Sequence, residues 1–116
     1  MTKPTQKLEV IEAAADVVVT DATGRKLTIK SPGILEESRL IRSMGESATN
    51  AAYMSAYVFP VASVVKIDDM DIQFPTTVLQ VEALIQRVGR DGLNAVLQHM
   101  LSEAKQSEDK EAELKN

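Results

Sequence analysis

The 116-residue chain has no cysteine, no tryptophan and a single histidine, His99. Without cysteine there are no disulfides, no thiolate metal sites and no cysteine nucleophile, and the redox compartment is left open. With Tyr53, Tyr57, Phe59 and Phe74 as its only aromatics, the core must be built from Val, Ile, Leu, Ala and Met. A net charge of -4 does not favour the concentrated basic surface of a nucleic-acid binder. The opening "MTKPTQKLEV" lacks the apolar stretch of a signal peptide, so a cytoplasmic location is expected. Ser47 to Val65 is free of charge, but Pro60 and several polar residues interrupt it. A buried central helix is the expectation there, not a membrane span.

What is present is well punctuated. Residues 1–9 read as a flexible arm, 10–101 as one globular domain, and 102–116 as a charged tail, either helical or disordered. "DVVVT" is the clearest strand, "DATGRK" a turn, and "KLTIK" a strand with Leu27 and Ile29 on one face. In the turn, Asp21 can accept from backbone two residues on and Gly24 can take positive φ. Together these pieces predict a β-hairpin with one apolar face.

"SPGILEESRLIRSMG" predicts a helix with Ser31 as N-cap, Pro32 at the first position, Leu35, Leu40, Ile41 and Met44 as its stripe, and Gly45 as its stop. A second helix is expected from Glu46 or Ser47 to about Phe59, apolar nearly all the way round and broken at Pro60. Residues 61–67 read equally as helix or strand. "KIDDMDIQFP" reads as an acidic turn between extended pieces, with Ile67, Ile72 and Phe74 facing inward. Thr77 and Gln80 have capping-box spacing before Val78, Val81, Leu84, Ile85 and Val88, and Gly89 ends that helix. Asp91 is expected to cap a last helix carrying Leu93, Val96, Leu97, Met100 and Leu101. The fold class is α+β: an N-terminal hairpin packed on a bundle of about four helices, with a charged C-terminal tail.

No motif carries chemistry. His99 has no acid, serine or cysteine at a catalytic spacing. From Asp69 the sixth and twelfth positions of a calcium loop are Phe74 and Gln80, and from Asp71 they are Thr76 and Glu82, so the motif fails in either register and a solvated hairpin tip explains the acids. Glu36 and Glu37 are helix neighbours about 100° apart, so they suit the helix dipole better than a shared substrate. Arg25, Lys26 and Lys30 form a basic patch without interleaved aromatics. "VGRDGL" lacks the lysine and hydroxyl of a phosphate loop. Neither cofactor nor metal is expected, and an enzyme ranks last among the readings. Tyr53 and Tyr57, at i and i+4 with Met54 beside them, are either core or a partner-binding face. An all-apolar helix needs more cover than this domain easily supplies, so self-association or another protein's helix is the expected source.

The order of "VTDATGRKLTIK", "SPGILEESRLIRSMGESATNAAYM", "IDDMDIQFPTT" and "VEALIQRVGRDGLNAVLQHM" resembles small proteins encoded among the tail genes of long-tailed bacteriophages and prophages, the tail assembly chaperones. The resemblance spans residues 17–101, and the family pattern carries glycine where this chain has Asp69. It implies a non-enzymatic protein that binds the tape-measure protein, a long helical chain, and keeps it soluble until the tail tube forms. A longer product of ribosomal frameshifting is a further implied partner, and the charged end at 102–116 would suit such a junction. The protein-binding residues this reading selects are Tyr53, Met54, Tyr57, Leu97 and Met100. The alternative is a small structural tail or connector protein retained in the virion.

Overall fold

The computed structural model describes residues 16–115; the expected arm at 1–9 and the start of the domain at 10–15 lie outside the described residues. The fold is α+β, a four-stranded antiparallel sheet with helices. Strands β1 (Val17–Thr20), β2 (Lys26–Ile29), β3 (Val64–Ile67) and β4 (Met70–Asp71) lie in that order across the sheet. The expected hairpin forms, pairing Val17 with Ile29 and Thr20 with Lys26. The alternation in β2 is realised, with Leu27 and Ile29 buried and Lys26 exposed.

β3 resolves the ambiguity of residues 61–67. The preceding helix ends at Ala62 and the β-branched run from Val64 becomes a strand on β2, with a register irregularity between Thr28 and Ile29. The "DDMD" stretch then turns the chain into β4. Asp68, not Asp69, takes the left-handed conformation (φ 52°), and its carboxylate accepts the Lys26 N–H at 2.9 Å while its own N–H donates to the Lys26 carbonyl at 2.7 Å. The tip is exposed, as expected, but one of its acids ties the two hairpins together.

Helix α1 spans Ile34–Met44. Its N-cap is Gly33 and not Ser31: the Glu36 carboxylate reaches back to the Gly33 N–H at 3.0 Å, half of a capping box. That bond, together with the helix dipole, accounts for an acid at this position. Leu40 and Met44 enter the core, whereas Leu35 and Ile41 stay at the surface. Gly45 ends the helix with φ 59°.

The second helix starts later and ends later than the sequence pattern indicates. A 3-10 turn occupies Gly45–Thr49, and Asn50 breaks it in an extended conformation, its side chain accepting the Tyr53 N–H at 3.0 Å. Helix α2 covers residues 51–62, opening as α-helix (Ala51–Tyr53), widening into a π turn (Met54–Val58) and closing as α-helix (Phe59–Ala62). Pro60 does not break it. In the π turn the Phe59 N–H bonds to Met54 five residues back. The wider turn loosens the tight i−4 packing in which a proline ring meets a carbonyl, so the chain continues for one more turn.

Helix α3 runs Val78–Lys115 with one non-helical residue, Gly89, at φ 71° and ψ -179°. It begins on the Thr77 hydroxyl, which accepts the Gln80 N–H at 3.1 Å; Gln80 returns its oxygen to Thr76 at 2.8 Å, one residue earlier than a standard box. The chain is helical again at Asp91, which therefore lies inside the helix and not at its cap. The charged tail is a helical extension, with residues 101–109 exposed along it. One core joins all layers: Leu27 from the sheet, Leu40 from α1, Val58 and Val61 from α2, and Val81, Val88 and Val96 from both arms of α3.

Candidate functional site

The most connected polar group is a structural clamp. Asp21 is buried, and its Oδ1 accepts the Thr23 N–H at 3.0 Å, the Thr23 hydroxyl at 2.7 Å and the Arg25 N–H at 2.9 Å. Its Oδ2 pairs with Arg25 Nε at 2.9 Å. Burial alone would raise the Asp21 carboxyl, but the bonds from Thr23 and Arg25 outweigh it and lower the pKa to about 2. The far end of the guanidinium donates to the carbonyls of Arg87 at 3.0 Å and Val88 at 2.6 Å. These sit at the negative end of the first arm of α3, just before Gly89. Gly92 permits the close approach: a Cβ there would lie 2.9 Å from Val88 Cγ1 and 3.1 Å from Arg25 Nη2. Arg25 is thus half-buried in a scaffold network, and the basic patch expected on the hairpin is reduced to exposed Lys26 and Lys30.

The residues selected for protein binding divide. Met54 is 4% exposed and belongs to the core. Tyr53 and Tyr57 are half-buried on the rim of α2, their ring centroids 5.8 Å apart and tilted by 35°. Leu97 and Met100 are half-buried on α3. More exposed than any of these are Ile34 (89%) and Leu79 (77%), together with Leu35 (58%) and Leu101 (71%), which the helical pattern assigns to apolar stripes. The signal was present for Ile34, which precedes the stripe of α1 and falls outside its spacing.

Met100 also lines a cleft of about 300 Å³ between the end of β2, the start of α1, α2 and α3. Its apolar walls are Ile29, Pro32, Phe59 and Met100, and its acidic residues are Glu37 and Glu103. A second cleft of about 340 Å³ adjoins it through Ile29, Ser31, His99 and Glu103, and adds Asp16 and Lys30. His99 sits between them, half-buried. Its Nε2 lies against the Glu103 carboxylate. Among the described residues, no group of three or more His, Cys, Asp or Glu is placed to hold a metal ion. Nor is any helix among them long and apolar enough to cross a membrane.

The fold and these surfaces define a small α+β domain with apolar side chains left over on its helices. No protein family, curated protein or solved structure matches the chain.

Proposed function

We propose that this chain is a non-enzymatic tail assembly chaperone of a long-tailed phage or prophage, which binds the tape-measure protein and keeps it soluble during tail assembly. The motif order supports the family. The observation that carries the binding role is the set of large apolar side chains on α1 and α3 (Ile34, Leu35, Leu79 and Leu101) that are exposed outside an already continuous core. Exposed apolar helix flank of this kind suits an amphipathic helical client. The charged extension of α3 and the acidic hairpin tip oppose self-aggregation of a protein that carries such flank.

Co-expression with the tape-measure gene from the same tail cluster tests the reading. A soluble complex that forms only with the chain present is the expected result. A client that is equally insoluble with and without it contradicts the proposal. Recovery of the chain in stoichiometric amounts from purified virions would favour a structural tail protein instead.

A further inference from the structure

The cleft bounded by β2, α1, α2 and α3 combines an apolar interior with carboxylates of one sign. Ile29, Pro32, Phe59 and Met100 line it, Glu37 and Glu103 supply charge beside the His99 imidazole, and among its described lining residues there is neither lysine nor arginine; Lys30 lines the adjoining cleft. At about 300 Å³ it is at the small end of ligand sites and suits one or two large side chains, not a cofactor. Among the described residues the ion pairs are Arg25–Asp21 and His99–Glu103, so the Glu37 carboxylate has no ion-pair partner among them, and Glu103, whose side chain is largely exposed, lies against the His99 imidazole. Both glutamates are exposed. The exposed apolar residues Ile34 and Leu101 lie close in sequence to the lining residues Pro32 and Met100.

We infer that this cleft is the docking point for a basic amphipathic helix, taking a large apolar anchor between Phe59 and Met100 while Lys or Arg residues flanking that anchor pair with Glu37 and Glu103. Charge complementarity selects this occupant: a second copy of this acidic chain would bring net like charge to the same rim. For its natural partner the inference rests on the chaperone reading, and it adds which surface engages the client and which charge the engaged client segment bears.

The test uses the full chain and two labelled designed peptides of about 20 residues, each with leucine on one helical face and either lysine or glutamate on the other. The lysine peptide is expected to bind about tenfold more tightly. The double variant Glu37→Lys/Glu103→Lys should reverse that preference. The variant Asp69→Lys/Glu82→Lys makes the same change in net charge at exposed positions outside the cleft, and should leave the preference intact. If both double variants shift binding equally, attraction is to net charge and the cleft assignment is overturned. Tape-measure capture is read in parallel. Equal capture by the wild-type chain and Glu37→Lys/Glu103→Lys overturns the cleft while leaving the chaperone reading standing. A client ignored by the wild-type chain, alongside peptides that still discriminate at the cleft, removes the tape-measure partner and supports the cleft.

Discussion

Two regions of this molecule treat their side chains in opposite ways. At the Asp21–Arg25 clamp every polar atom is spent internally: a buried carboxylate holds an arginine that in turn holds the end of a helix arm. Across the outer faces of α1 and α3, large apolar side chains are left in water, and the nearby Glu37 carboxylate has no ion-pair partner among the described residues. The first region fixes the hairpin to the kinked helix; the second contributes little to stability and offers surface. Under the proposed function, binding falls to the exposed apolar side chains and not to the Asp21–Arg25 clamp.

That contrast can be tested by substitution. The largest loss of stability is expected from Arg25→Ala, about 3 kcal/mol by chemical denaturation, because it leaves the buried Asp21 carboxylate without its charged partner; Asp21→Ala costs less, since the half-buried guanidinium keeps its two carbonyl partners. Next comes Gly92→Ala, where the added methyl meets Val88 Cγ1 at 2.9 Å; a loss of about 1–3 kcal/mol is expected. Acid should reveal the clamp directly. The folded-state carboxyl of Asp21 sits at about 2 against an ordinary 3.8, so its contribution is complete above the ordinary value and is lost as pH falls from about 4 towards 2. The stability gap between the wild-type chain and Asp21→Asn should therefore close over that window. A gap that stays constant with pH would mean that the carboxylate's charge is not what the clamp uses. The smallest effect, within about 0.5 kcal/mol, is expected from Ile34→Ser or Leu101→Ser, since both side chains are already exposed.

Local signals in the sequence reached as far as local physics does. The turn at "DATGR", the strand alternation in "KLTIK", the stop at Gly45 and the Thr77 cap each depend on residues a few positions apart, and each is present. The N-cap of α1 lies two residues beyond Ser31, at a glycine with no side chain to announce it; Glu36 carries that signal instead. Met54 could not be separated from Tyr53 and Tyr57, since a segment apolar all round has no preferred face and a π turn alters the helical spacing on which face assignments depend. Arg25 looked like solvated charge because its carbonyl partners lie 62 and 63 residues away. The cleft is invisible in the sequence for the same reason: its walls come from β2, α1, α2 and α3, and Met100 alone among its lining residues belongs to the protein-binding set read from the sequence.

The most direct measurement is capture of the tape-measure chain by Ile34→Ser/Leu101→Ser set beside capture by Asp69→Lys/Glu82→Lys, with the thermal melt of each variant recorded. The expected result is loss of capture by the apolar-flank variant alone, at an unchanged melting temperature. Undiminished capture by that variant would contradict the assignment of binding to the exposed helical flank.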